Sequence, residues 1–345
     1  MRIIELHGKT GDSKIVLGES IEHLSSYCDT ANSVIITDAN VRKVCGSKFP
    51  NGMEVIELGT GEGNKTLETV QLLYSRLLEL GLDRSSTLVG IGGGIVCDIS
   101  GFVATTFMRG MKCGFVPTTL LSQVDASIGG KNGVNFNGYK NIIGTFRQPD
   151  FVLCDFELLA TLPERELRCG FAEIVKHGAI SDASLFAYLE DNHKAALSLK
   201  KTAIEKVLHD ALVAKARVVE RDETEHGERM KLNFGHTVGH AIERITRLPH
   251  GEAISIGMVA EARLSVAKGL LTEKDAGRLH ALLGNIGLPT ALDAKCDKTA
   301  IIDAIRKDKK KRNAKLRVIL LEGIGEAKVS EITEADLEVA IHDLC

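Results

Sequence analysis

Two histidines, His236 and His240, stand four residues apart in LNFGHTVGHAIE, Leu232 to Glu243, and a glycine precedes each of them. Side chains four apart on a helix share a face, with Cβ atoms roughly 5–6 Å apart, so the pair can reach one target. A zinc-type centre with an open position takes three protein donors, drawn from histidine nitrogens and carboxylate oxygens. Spacing nominates His236 together with His240, and Glu173, Glu243 or Glu252 as the third donor. His250 competes for a place, because LPHGEAISIGM puts HGE at another loop-to-helix junction. A plain half-buried helix face also produces HxxxH, and spacing leaves these alternatives open.

A second chemistry-bearing stretch is VGIGGGIVCD, Val89 to Asp98, set between a strand pattern and a helix pattern. Glycines there let backbone amides approach a phosphate at the helix start. The strict GxGxxG fingerprint fails, since Gly90 and Gly92 fit but Ile95 takes the third position. Asp38, closing the first strand, is placed to accept hydrogen bonds from an adenosine ribose. The stretch Pro117 to Gly144 is polar and glycine-rich, carries Asp125, Lys131 and Lys140, and reads as a long irregular segment. Such segments inside compact domains are more often functional than filler.

The elements that must position these residues follow from periodicity. SVIITD and MEVIEL read as strands, Leu67, Val70, Leu73, Leu77 and Leu80 recur at helical spacing, and STLVGI, IVCDISGFVATTF and KCGFVPT continue the alternation. That alternation predicts a parallel sheet with helices on its faces, a Rossmann-like α/β domain over residues 1–160. From about Pro163 the pattern turns helical, with one late β-like patch, LRVILLEGIGEAKVSEI, giving a mostly α-helical domain over 161–345. A cleft between two such domains is the default place for a ligand.

Composition narrows the function classes. A chain of 345 residues with 44% hydrophobic content buries a sizeable core, and a net charge of -3 argues against nucleic acid. The eight cysteines form no CxxC, and Cys97 and Cys113 lie in apolar runs. No apolar run reaches the roughly 18 residues of a membrane span and no signal pattern opens the chain, so the expected setting is the cytoplasm, with no membrane partner.

Taken in order, GGGIVCDISGFVATTFMRG, VPTTLLSQVDASIGGKNGVN, KNIIGTFRQP, CGFAEIVKHG, LNFGHTVGHAIE, HGEAISIGM and a late DKK resemble the 3-dehydroquinate synthases, sugar phosphate cyclases of the shikimate pathway. The resemblance spans Gly92 to Lys310. It implies a lyase that uses NAD and a divalent metal, zinc or cobalt, and works as a homodimer. Its phosphorylated sugar acid, 3-deoxy-D-arabino-heptulosonate 7-phosphate, would become 3-dehydroquinate through transient oxidation, phosphate β-elimination, re-reduction and an intramolecular aldol closure.

Carried over by position, the resemblance makes Glu173, His236 and His250 the metal ligands and turns His240 into a catalytic side chain beside them. NAD would meet Asp38, Asn40, Glu62, Lys65, Gly93, Gly94, Asp98, Thr118, Thr119, Lys140 and Thr161. Substrate would meet Arg109, Asp125, Lys131, Asn141, Lys176, Lys215, Arg229, Asn233 and Lys309, with Lys310 competing for the last place. His240, Asn141, Asn233, Lys131 and Asp125 would carry catalysis. Two other enzymes share this plan, a cyclase of the 2-deoxy-scyllo-inosose synthase type and a metal-dependent polyol dehydrogenase of the glycerol dehydrogenase type. A catalytically silent NAD-binding regulator would have no use for the proton-transfer and anion-binding side chains.

Overall fold

The structure is a computed structural model that describes residues 1–311, 316–342 and 344, with only the backbone of 307–311. Two compact units form, Met1–Leu167 with Lys215–Thr224, and Arg168–Ala214 with Glu225–Cys345. The boundary thus falls a few residues beyond the sequence-based one, and a segment of the later chain joins the first unit.

The first unit contains strands β1 (Arg2–Gly8), β2 (Gly11–Leu17), β3 (Ser33–Asp38), β4 (Glu54–Leu58), β5 (Thr87–Gly92) and β6 (Lys112–Pro117). A separate antiparallel hairpin, β7 (Lys131–Phe136) and β8 (Tyr139–Phe146), follows, and β9 (Phe151–Cys154) completes a seven-stranded sheet of order β1-β2-β9-β6-β5-β3-β4. Every neighbouring pair in that sheet is parallel except β1 with β2. Strand β5 is buried along its whole length, which is why TLVGIG reads as an unbroken apolar run. Helices α1 (Ala39–Cys45), α2 (Leu67–Glu79) and α3 (Gly94–Thr106) follow β3, β4 and β5. The Thr66 hydroxyl caps α2, which buries Val70, Leu73 and Leu77, while Leu80 ends it half-buried. From β3 the chain steps to β4 on one side and to β5 on the other. The carboxyl ends of β3 and β5 are therefore a topological switch point, the place where open parallel sheets bind ligands.

The expected irregular segment from Pro117 to Gly144 is corrected here. One helical turn at Ser122–Ala126 and the β7–β8 hairpin occupy most of it. Asn137 and Gly138, both at positive φ (49° and 78°), make the turn. Two left-handed residues in a two-residue hairpin match the right-handed twist of the strands, and Asn-Gly is the pair that adopts them at least cost.

In the remainder, α4 (Glu164–Ser181), α5 (Ala183–Leu197), α6 (Lys201–Arg221), α7 (His236–Thr246), α8 (His250–Ala267), α9 (Glu273–Ile286) and α10 (Lys298–Lys311) precede the hairpin β10 (Arg317–Gly323) and β11 (Glu326–Glu331) and the final α11 (Glu334–His342). Helix α8 is buried almost all round, as a helix at the centre of a bundle must be. No described helix is long and apolar enough to cross a membrane. Cys97 and Cys113 are core side chains.

Candidate functional site

The glycines before the histidines answer to packing. A Cβ on Gly235 would lie 2.6 Å from Met258 Cγ, one on Gly239 2.7 Å from Ile254 Cδ1, and one on Gly257 2.0 Å from the Gly235 carbonyl oxygen. Helices α7 and α8 therefore touch backbone to backbone, which only glycine permits. Gly235 adopts a left-handed conformation, φ 78°, and starts α7, so His236 leaves the first turn of the helix.

That geometry gathers Glu173 from α4, His236 from α7 and His250 from the start of α8, with donor atoms within 4.8 Å of one another. Both Nε2 atoms face Glu173 Oε1, at 3.7 Å for His236 and 3.6 Å for His250. Each second ring nitrogen has a partner, the Phe234 carbonyl at 3.0 Å for His236 and Glu243 Oε2 at 3.3 Å for His250. Imidazoles engaged at Nδ1 with Nε2 turned to a carboxylate are the arrangement that metal-binding histidines show. The donor set, two imidazoles and a carboxylate at 0% exposure, suits a borderline divalent ion such as zinc or cobalt with a position left open. His240, Glu243 and His250 also approach within that distance. There Glu243 meets His250 at Nδ1, the nitrogen turned away from Glu173. Glu252, the other nominee from spacing, belongs to neither group.

Charge around the triad is arranged unevenly. Burial, then the Lys176 charge, holds His236 well below its ordinary value. Burial also opposes charge on His250, yet its hydrogen bonds to Glu173 and Glu243 outweigh that and hold it up at about 9. The buried Lys176 pairs with Glu173 Oε2 one turn away. The His240 ring lies edge-on to His236, centroids 5.2 Å apart, on the exposed side of α7.

Of the cofactor candidates in the first unit, Asp38 closes β3 and Gly93 and Gly94 follow β5, at the switch point. Asp38 Oδ1 accepts from the Asn40 and Val41 amides at 2.9 and 3.0 Å and so caps α1. Gly93 caps α3 and Gly94 begins it, while the Thr118 amide donates to the Gly92 carbonyl at 2.9 Å. The buried Lys65 ammonium donates to Asp98 and to Asn141. Burial pushes the Asp98 carboxyl up, and Lys65 pulls it back. Glu62 Oε1 accepts from Asn135 Nδ2 at 2.8 Å, and Asn135 Oδ1 accepts from the Asn141 amide at 2.9 Å. Asn135 therefore ties Glu62 to Asn141. No sequence signal marks Asn135, which lies in a stretch that reads as loop by pattern. Thr119 Oγ1 accepts from the Ser122 amide, Thr161 donates to the Leu158 carbonyl, and Lys140 is exposed on β8.

The substrate candidates divide by unit. Arg109, Asp125, Lys131, Asn141 and Lys215 belong to the first, where Lys215 Nζ meets Asp125 Oδ1 at 2.6 Å. Arg109 sits in a turn at φ 66°, and Arg109, Lys131 and Asn141 are exposed. Lys176, Arg229 and Asn233 belong to the second, with Glu173, His236 and His250. Arg229 is 2% exposed, and Asn233 Nδ2 donates to Glu225 Oε1 at 2.6 Å. No sequence signal marks Glu225. The side chains of Lys309 and Lys310 lie outside the described residues.

The chain matches the family descriptions "3-dehydroquinate synthase N-terminal" over residues 55–169 and "3-dehydroquinate synthase C-terminal" over 170–311. It is 41% identical over 338 residues to the 3-dehydroquinate synthase of Thermoanaerobacter pseudethanolicus, covering 94% of this chain and 93% of that one. Among solved structures it is similar to a 2-epi-5-epi-valiolone synthase from Streptomyces hygroscopicus with NAD+ and Zn2+ bound, at 30% identity and TM-score 0.88 over 100% and 99% of the two chains. A 2-deoxy-scyllo-inosose synthase complexed with carbaglucose-6-phosphate, NAD+ and Co2+ matches at 27% identity and TM-score 0.90 over the full length of both. The chain belongs to the 3-dehydroquinate synthase family.

Proposed function

We propose that this chain converts 3-deoxy-D-arabino-heptulosonate 7-phosphate into 3-dehydroquinate and phosphate, with NAD and one divalent metal, zinc or cobalt, as cofactors. The observation that carries this reading is the Glu173–His236–His250 donor set, each imidazole engaged at its second nitrogen, in a chain of this family. Held by Glu173, His236 and His250, a metal would supply a Lewis acid, and NAD would supply a reversible hydride acceptor for carbon 5 of the substrate.

The chain's own residues bind, orient and move protons. Asp38 keeps one oxygen for the adenosine ribose while the other caps α1, and Gly93 and Gly94 present the start of α3 to the pyrophosphate. Arg229 grips the substrate carboxylate through two parallel hydrogen bonds, which a lysine cannot reproduce. Arg109, Lys131, Lys176 and Lys215 supply the remaining positive charge for a substrate that carries both a carboxylate and a phosphate. Proton transfer falls to His240, imidazole being the side chain suited to general acid–base work near neutral pH. Asn233, held by Glu225, and Asn141, held by Lys65 and Asn135, orient that step. The aldol closure then needs little beyond a near-attack geometry. The expected setting is the cytoplasm, as a homodimer.

The test is to supply the heptulosonate phosphate and glucose 6-phosphate separately, with catalytic NAD, while following phosphate release and absorbance at the NADH band. Phosphate from the first alone, with no lasting NADH, is the expected result. Turnover of glucose 6-phosphate would point to the 2-deoxy-scyllo-inosose type of cyclase. NADH accumulating with product would point to a dehydrogenase. Either result sinks the proposal.

A further inference from the structure

Behind the histidines lies a buried carboxyl group that the chemistry above leaves unused. Glu261, on α8 one turn beyond Gly257, is 1% exposed. Its Oε2 accepts from the Gly235 amide at 2.9 Å. That amide belongs to the same peptide unit as the Phe234 carbonyl, which accepts from His236 Nδ1 at 3.0 Å. One rigid, planar group thus joins the two side chains, since a peptide's N–H and C=O cannot turn independently. The adjoining Gly235 carbonyl is pressed by α8 at Gly257, and Gly235 itself holds a left-handed conformation. A glycine in that region is free to take up other φ values, so the peptide plane needs an external hold.

We propose that Glu261 is a positioning residue for the metal site. Its carboxyl oxygen fixes the Phe234–Gly235 peptide, the carbonyl of that peptide fixes His236 at Nδ1, and Nε2 is thereby aimed at Glu173. The chain of contacts is carboxyl, peptide, imidazole, metal: the histidine's direct partner is a backbone carbonyl, one of the usual choices, and a carboxyl group holds that peptide in turn. His250 uses the direct form through Glu243. The two ligands are thus steadied by different devices. A buried amide whose acceptor is removed must find another partner, and turning its peptide plane is the simplest way to do so.

The inference rests on the metal reading of Glu173, His236 and His250, and its test separates the two. The metal-free protein is titrated with cobalt(II) against a chelator of known affinity, and the visible spectrum of the cobalt form is recorded. Glu261→Gln, which keeps an acceptor oxygen, should bind cobalt within about threefold of the wild type and share its spectrum. Glu261→Leu, similar in size but without an acceptor, should bind on the order of tenfold or more weakly, the usual scale for loss of an outer partner, with an altered spectrum. Wild-type affinity and spectrum in the Leu variant, with only a lower Tm, would make Glu261 a packing residue and overturn the proposal. A wild type that binds no cobalt would remove the metal reading and this inference together. Should the Leu variant not fold, hydrogen exchange decides on the wild type alone. The Gly235 amide must be protected in the metal-free protein, and rapid exchange there overturns the proposal.

Discussion

His240 and His250 stand at similar distances from His236, with ring centroids 5.2 and 5.4 Å away, yet we assign them different work. The difference lies in their surroundings. His250 has one nitrogen on Glu243 and the other toward the buried Glu173, whereas His240 is on the exposed side of α7. We therefore predict that His250→Ala loses the metal and activity together. His240→Ala should keep the metal and lose on the order of 10²-fold or more in rate, the scale of general acid–base catalysis. Elemental analysis alongside turnover reads both. Full occupancy in the His250 variant, or loss of the ion in the His240 variant, would restore the HxxxH pair as the ligands. Spacing alone leaves that pair and its competitor open, because i,i+4 geometry reports which side chains share a face and not what faces them. The competitor His250 comes from another helix, and its approach depends on the contact of α7 with α8. The family motifs carried that information and the periodicity did not.

Elements were legible where their pattern was strong. Buried strands such as SVIITD and the α2 periodicity appear where the sequence places them, because both depend on burial that composition records directly. The β7–β8 hairpin escapes the pattern because both strands contain a glycine among polar residues and β8 is mostly exposed, so alternation is weak. Its Asn137–Gly138 turn was the readable signal. The packing of α7 on α8 shows in sequence only as glycines, and Glu261 at its base reads as an unremarkable helix glutamate. Burial pushes its carboxyl up to about 8, against the amides of Gly235, Ile319, Val238 and Thr237, which lower it. The ordinary value is 4.5. A folded value above the unfolded one stabilises fully below about pH 4.5, and that contribution is lost as pH rises through about 8. We predict that the Tm of the metal-free wild type falls, relative to that of Glu261→Gln, between pH 5 and pH 9. A Tm difference that stays constant over this range would show that the carboxyl does not titrate in the folded protein.

At the scale of the whole molecule, the expected homodimer needs a surface, and the first unit offers one. Among the described residues Phe136, Tyr139, Ile142 and Phe146 are all exposed on the β7–β8 hairpin, with Phe136 paired to Tyr139 across the turn. Single exposed apolar residues are ordinary, as Leu72 is on α2, but four on one hairpin are the kind of grouping that marks a contact with another chain. A two-fold interface presents each residue twice, so a charge introduced there is doubled and desolvated on both sides. We predict that wild-type protein sediments at twice the 37.3 kDa chain mass. Phe136→Glu and Ile142→Glu should shift it toward the monomer at equal concentration, and Leu72→Glu should leave it unchanged. Circular dichroism checks that each variant remains folded. A monomeric wild type would end the homodimer expectation. Intact dimers in both hairpin variants would move the interface elsewhere, and the hairpin's apolar side chains would then have to be explained through their neighbours Lys140 and Asn141, candidates for cofactor and substrate.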